Sequence, residues 1–266
     1  MVSMLFVAAL ITGLAAGVIA GLFGVGGGII IVPALLFLFV QNAINSEVIM
    51  HMAVGTSLAT IIVTNISATF NHHRRAAVDW KHVVTFTPGI LLGAWLGSQL
   101  AATMNGSVLR LLFGCFEIVV GLQMLRGKKG DGSGTVLISA MFNPFLGLVI
   151  GSISSLFGIG GGTLAVPVLN LLRGLPMIKS VGSASAMGFF LACSGALGYV
   201  QTGWGLPNLP PGAFGYVLPE AFLGIVCGTL LTTPLGVRLA HSLPQKHLKK
   251  GFGLFLILVG IKLILK

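Results

Sequence analysis

The stretch that decides the fold is Leu22-Phe23-Gly24-Val25-Gly26-Gly27-Gly28-Ile29-Ile30-Ile31-Val32-Pro33, because it occurs twice. The second copy reads Leu156-Phe157-Gly158-Ile159-Gly160-Gly161-Gly162-Thr163-Leu164-Ala165-Val166-Pro167. The phenylalanine, the glycines and the proline recur at the same spacing, and apolar residues flank both copies. Each glycine run therefore interrupts or borders a membrane segment, and the chain is predicted to be a duplication.

Two interpretations of the glycines are open. Glycine tolerates positive φ, so it can end one helix and leave free backbone N–H groups at the start of the next. Such groups form an anion site, and broken helices in corresponding positions of two halves indicate the substrate site of a transporter. The alternative is that the glycines only let helices pack closely. Under the first interpretation the substrate-binding glycines are Gly24, Gly26, Gly27, Gly28, Gly158, Gly160, Gly161 and Gly162.

The composition is that of a polytopic membrane protein. Hydrophobic residues make up 55% and charged residues 8% of the chain, and the mean hydropathy is +1.03. These values lie outside the range of soluble proteins. The net charge of +10 does not indicate nucleic acid, because the basic residues occur in short loops between apolar runs. That distribution is the positive-inside pattern, and the partner of the chain is the lipid bilayer.

The sequence predicts an all-α protein made of two inverted repeats, each with five apolar elements. The first repeat covers residues 1–126, a cytoplasmic linker covers 127–134, and the second repeat covers 135–266. The elements of the first half are Val2–Phe23, Ile29–Val40, Val48–Phe70, Val83–Thr103 and Val108–Leu125. Those of the second half are Thr135–Phe157, Thr163–Leu172, Val181–Gln201, Phe214–Leu239 and Leu248–Leu265.

Basic residues predict the orientation. The loop with Arg74, Arg75 and Lys81 and the linker with Lys128 and Lys129 are expected in the cytoplasm, and the loop 202–213 without Lys or Arg outside. The element Ile29–Val40 would be only about 18 Å long as a helix, against a hydrocarbon core of about 30 Å. Whether the short elements are re-entrant or spanning stays open.

Few residues offer chemistry. A Walker A loop needs a lysine that neither glycine run contains, so nucleotide binding is excluded. Thr56 and Ser57, with their counterpart Ser183, are expected in the substrate site because they accompany the glycine motif in both halves. Their hydroxyls could instead cap helices or bond to the backbone of their own helix.

Glu117 is a carboxylate deep in a predicted span, and such residues are often functional. We expect it to couple a proton, or else to pair with Arg110. Asn65 is interpreted as a polar contact between helices. No metal site, cofactor or catalytic residue is expected, and homo-oligomerisation is left open.

The chain resembles the TauE/SafE family of sulfite exporters. The residues that carry the resemblance are the paired glycine motifs, Val54-Gly55-Thr56-Ser57, the run His72 to Trp80 and the loop Gly203 to Gly212. It covers nearly the whole chain, and it implies a membrane transporter of small anions such as sulfite, sulfonates and related sulfur compounds. Ala184 departs from the pattern, because the second repeat would more typically repeat Thr-Ser there.

The function expected from these observations is secondary export of a small anion across the cytoplasmic (inner) membrane. A membrane-embedded enzyme would need paired carboxylates or a His/Cys constellation at depth. A non-transporting assembly protein would not need two glycine-broken helices.

Overall fold

The computed structural model describes residues 4–23, 27–126, 139–242 and 245–265, and it is built from helices. The first half contains α1 (Met4–Phe23), α2 (Gly28–Gln41), α3 (Ile49–His73), α4 (Trp80–Ala102) and α5 (Gly106–Arg126). The second half contains α6 (Asn143–Phe157), α7 (Gly162–Leu172), α8 (Met177–Gly203), α9 (Pro219–Ser242) and α10 (Gln245–Leu265). The last turns of α7, Val168–Leu172, are π-helical.

Each predicted apolar element corresponds to one of these helices, but the starts of α6, α8 and α9 differ from the predicted ones by four residues or more. Helix α9 begins at Pro219 and not at Phe214, because Phe214 and Val217 exchange backbone hydrogen bonds of 2.9 and 3.0 Å in a turn. Helix α6 begins at Asn143 after a short 3-10 turn, Ala140–Phe142. Helix α8 begins at Met177, directly after a proline. The predicted linker 127–134 lies outside the described residues.

The protein is a polytopic helical membrane protein. Seven of the described helices are long and apolar enough to cross a bilayer, while α2, α7 and the apolar part of α10 are shorter. Large apolar side chains face outwards, such as Leu197 at 68% and Leu231 at 69% exposure. Such surfaces suit contact with lipid chains.

The helices of one half pack mainly against those of the other. The main pairs are α1 with α9, α4 with α6, α5 with α10, and α3 with α8. Glycines bring the backbones together: a Cβ at Gly93 would collide with the carbonyl of Leu148, and one at Gly151 would lie 2.5 Å from that of Ile90. Small residues are the usual basis of close helix packing in membranes.

Helices α5 and α10 contact each other reciprocally. Gly114 faces Gly260 and Gly121 faces Gly253, and a Cβ on any of the four would lie 2.6 to 2.9 Å from the carbonyl oxygen of its partner. Since the residue numbers rise along one helix as they fall along the other, these two equivalent helices are antiparallel.

The loops that precede α4 and α9 share two backbone features. Ala76 has a φ of 51° and Gly215 a φ of 54°. In each turn the N–H of the following residue donates to a carbonyl near the end of the preceding helix, that of His72 at 3.0 Å or that of Tyr199 at 3.3 Å. The two halves thus share these features although the loops differ in length and sequence.

Candidate functional site

The described part of the first glycine motif starts at Gly27, since Gly24 and Gly26 lie outside the described residues. Gly27 has a φ of 82°, a left-handed conformation that costs other residues free energy. Its carbonyl accepts from Ile30 and Ile31 at 3.0 Å each, so it caps the N-terminus of α2. The first N–H groups of α2 have no partner within the helix.

In the second motif the glycine with positive φ is Gly158, whose counterpart Gly24 lies outside the described residues. Gly158 has a φ of 66° and ends α6, while Ile159 N–H donates back to the carbonyl of Ser154 at 3.0 Å. This is the usual way in which a left-handed glycine terminates a helix. Gly161, the counterpart of Gly27, has an ordinary φ of −50°. The backbone conformation of Gly161 therefore does not by itself require glycine.

The two motifs contact each other in the interior. A Cβ at Gly28 would collide with the carbonyl oxygen of Gly158 and would lie 2.9 Å from Cα of Ile159. Ser57, on α3, donates its hydroxyl to the same Gly158 carbonyl at 2.8 Å. Close packing therefore accounts for glycine at positions 28 and 158.

Close packing does not account for Gly161. The nearest atoms to a Cβ there would be Cδ1 of Leu191 at 3.5 Å and Cα of Gly188 at 3.8 Å, which are ordinary contact distances. Gly160, Gly161 and Gly162 are all buried in the turn that leads into α7. An alanine methyl would therefore fit beside the N–H groups at the start of this helix.

Thr56 and Ser183 form two equivalent hydrogen bonds between the halves, which we call the hydroxyl latches. The hydroxyl of Thr56 accepts from Leu218 N–H at 3.0 Å, and that of Ser183 accepts from Asp79 N–H at 2.8 Å. Leu218 and Asp79 directly precede α9 and α4. Both hydroxyl-bearing residues are fully buried. Each hydroxyl therefore holds the start of a helix in the opposite half. Neither alternative given above, a helix cap or a bond to the backbone of the same helix, predicted this contact.

Asp79 also caps its own helix. Its carboxylate accepts from His82 N–H at 3.2 Å and lies 3.1 Å from Nδ1 of His82. Partial burial alone would raise the pKa of Asp79. Hydrogen bonds from His82, with the charges of His82 and Lys179, hold this pKa below its ordinary value. The cap at this latch is therefore charged at neutral pH.

Glu117 is fully buried on α5, and neither carboxylate oxygen has a hydrogen-bond partner among the described residues. The alternative ion pair with Arg110 was therefore wrong. Phe113 and Phe116, beside Glu117 on the helix, pack on Phe157 with ring centroids 6.1 and 4.8 Å apart. Since Phe157 directly precedes Gly158, this part of α5 lies beside the second glycine turn.

Sequence reasoning missed the environment of Asn65. This residue of α3 is 1% exposed, and neither atom of its amide has a hydrogen-bond partner within the described ranges. A Cβ at Gly188 of α8 would collide with its Nδ2 and would lie 3.4 Å from the backbone N of Gly161. The amide therefore lies near the start of α7. The sequence could have set Asn65 apart in one way, because its counterpart in the second repeat, Ala192, is apolar.

A second feature is an apolar cavity of about 630 Å³ between α3, α8 and α9, lined by residues such as Ala59, Cys193 and Phe222. It offers no polar ligands for an anion. In the part of the chain that the structure describes, no three His, Cys, Asp or Glu side chains lie close enough together to hold a metal ion.

Comparison with known proteins gives a consistent result. The family model described as "Sulfite exporter TauE/SafE" matches residues 9–263. A probable membrane transporter protein of Haemophilus influenzae is 35% identical over 97% of either chain. The probable membrane transporter protein YunE of Bacillus subtilis is 30% identical over 98% of either chain. One from Xylella fastidiosa is 34% identical over 93% of this chain and 90% of its own. No solved structure gives a significant match.

Proposed function

This chain belongs to the TauE/SafE family of membrane transporters, and from that premise we propose that it exports a small sulfur-containing anion across the cytoplasmic membrane. Sulfite, a sulfonate or a related compound is the proposed cargo. Membership in a transporter family sets aside the membrane-embedded enzyme and the non-transporting assembly protein.

The observation that carries the proposal is the meeting of the two glycine turns. Gly28 contacts Gly158, and each turn starts a short helix. The N-termini of α2 and α7 thus lie in one region of the interior. Oriented N–H groups and helix dipoles favour negative charge there. The proposed anion site comprises the glycines of both motifs, Gly24 and Gly26 included.

The side chains named from the sequence have two roles in this proposal. Thr56, Ser57 and Ser183 hold the walls of the site, because their hydroxyls bond to backbone groups of the opposite half. Glu117 exchanges the coupling proton, because it is a buried carboxylate beside the second turn with no fixed partner among the described residues.

We also propose that residues 1–126 and 135–266 are inverted repeats, joined by a cytoplasmic linker at 127–134. The antiparallel pairing of α5 and α10 supports this arrangement, because equivalent helices of an inverted pair cross the bilayer in opposite directions. Such repeats are common in secondary transporters, with the substrate near the repeat interface.

Export follows from electrostatics. With the cell interior negative, outward movement of one negative charge across 100 mV is favourable by about 2.3 kcal/mol. No nucleotide motif is present, so an ion gradient or the membrane potential is the proposed energy source.

Flux in proteoliposomes tests the proposed function. Purified protein is reconstituted with sulfite, methanesulfonate, thiosulfate or acetate inside, and efflux is measured with and without an inside-negative potential. We expect efflux of a sulfur oxyanion that the potential accelerates. Empty-liposome rates for the entire panel would contradict the proposal.

A further inference from the structure

We infer that Asn65 is a substrate ligand, and that the anion site is asymmetric, lying against the second glycine turn and selecting a singly charged oxyanion. This inference rests on the function proposed above and deepens it. It is carried by the juxtaposition of a buried, unpartnered amide with the turn around Gly161.

A helix contact does not explain the Asn65 amide. An amide that joined two helices would hydrogen-bond across them, as Asn143 does to the Thr85 hydroxyl at 2.9 Å. Both polar atoms of Asn65 are buried without such a partner, which costs free energy unless a ligand compensates. Gly188 leaves the space for this amide, because any Cβ there would occupy the position of Nδ2.

Other polar groups near the second turn are also buried and unpartnered. The hydroxyls of Ser154 and Ser155, at the end of α6, and of Thr163, in the first turn of α7, have no hydrogen-bond partner in the described structure. Their counterparts in the first motif, at the same spacing, are Ala20, Gly21 and Ile29. The unpartnered hydroxyls therefore belong to the second motif and have no hydroxyl counterparts in the first, and Asn65 likewise has an apolar counterpart, Ala192.

The chemistry of these groups indicates the class of anion. Asn65, Ser154, Ser155 and Thr163 are neutral, and each can donate a hydrogen bond to an oxyanion oxygen. The electrostatic cost of bringing an ion into a low-dielectric interior rises with the square of its charge. A site built from neutral donors therefore favours a singly charged oxyanion, such as a sulfonate, over a doubly charged one.

The test compares two buried amides. In Asn65→Leu the amide is replaced by an apolar side chain of similar size, and in Asn65→Ala it is removed without adding bulk near Gly188. The control is Asn170→Leu, because Asn170 is buried and its amide is satisfied by the Leu175 carbonyl at 2.8 Å. Thermal unfolding in detergent is recorded with and without methanesulfonate or thiosulfate, and methanesulfonate efflux is measured per folded molecule.

We expect both Asn65 variants to unfold at or above the wild-type temperature without ligand, since they remove an unsatisfied group. We expect them to lose the stabilisation by methanesulfonate and about tenfold or more of its efflux. The Asn170 control should unfold earlier and retain its methanesulfonate response. Wild-type protein should respond more strongly to methanesulfonate than to thiosulfate.

Three results would overturn the inference. If both Asn65 variants bound methanesulfonate as tightly as wild type, the amide would have a structural role. The same would follow if the variants were less stable without ligand while their efflux stayed unchanged. A stronger response to thiosulfate than to methanesulfonate would remove the selectivity for a single charge. The failure of the proposed function is distinguishable, because wild-type protein would then neither bind nor move any anion of the panel.

Discussion

Gly27 and Gly161 occupy the same position in the two copies of the motif, yet they differ in backbone and surroundings. Gly27 adopts positive φ and has Ala16 O at 3.2 Å from an added Cβ, whereas Gly161 has an ordinary φ and would accept a methyl group at ordinary contact distances. Packing and backbone conformation therefore explain glycine at position 27 but not at position 161, where substrate binding remains a prediction.

We predict that Gly161→Ala lowers anion efflux about tenfold while the unfolding temperature stays near that of wild type. The added methyl fits sterically but covers N–H groups at the start of α7. Gly27→Ala should instead destabilise the protein by about 1–2 kcal/mol, because a left-handed conformation is strained for alanine. Efflux per folded molecule and thermal unfolding of both variants check this. Full efflux in Gly161→Ala would show that the position does not approach the substrate.

Glu117 is the second residue whose role depends on its environment. We predict that Glu117→Gln leaves the protein folded and removes the pH dependence of efflux, because the amide keeps the shape but cannot exchange a proton. The control is Glu47→Gln, at an exposed loop carboxylate. The measurement is initial efflux rate across a pH series; a variant with the wild-type pH profile would assign Glu117 to structure.

At the scale of elements, the hydroxyl latches connect the halves through the starts of α4 and α9. We predict that Thr56→Val destabilises the protein by about 1–3 kcal/mol, because it leaves the buried N–H of Leu218 unpaired. Ser183→Ala should act in the same direction at α4.

Thr64→Val is the matched control on α3, because that buried hydroxyl donates to the carbonyl of Thr60 in its own helix at 3.0 Å. Denaturation and the KM for efflux are measured together. A raised KM without lost stability in the latch variants would mean that these hydroxyls contact the anion directly.

At the scale of the whole molecule, the proposed inversion places equivalent loops on opposite sides of the membrane. We predict that Arg75→Cys is labelled only from the cytoplasm and Pro207→Cys only from outside. Both positions are exposed loop residues. The experiment uses an impermeant thiol reagent on inside-out and right-side-out vesicles, with Cys115, Cys193 and Cys227 replaced by alanine. Labelling of both positions from one side would exclude inverted repeats.

The sequence by itself determined the class of the protein and the number of its helices. Apolar runs of membrane length predict helices because a backbone in lipid must satisfy its hydrogen bonds within its own segment. The repeated glycine motif predicted where helices break, as at Gly27 and Gly158, because few other residues adopt positive φ without strain. These are local properties, and local sequence is sufficient to encode them.

Only the tertiary structure decided which polar groups have partners. The hydrogen bonds between Thr56 and Leu218 and between Ser57 and Gly158 join residues far apart in the chain. No spacing in the sequence therefore predicts them. The same holds for Asn65, which the sequence assigns to a helix contact and the fold places, unpartnered, beside Gly188 near the start of α7. Whether a buried amide is satisfied depends on its neighbours in space, and packing alone supplies those neighbours.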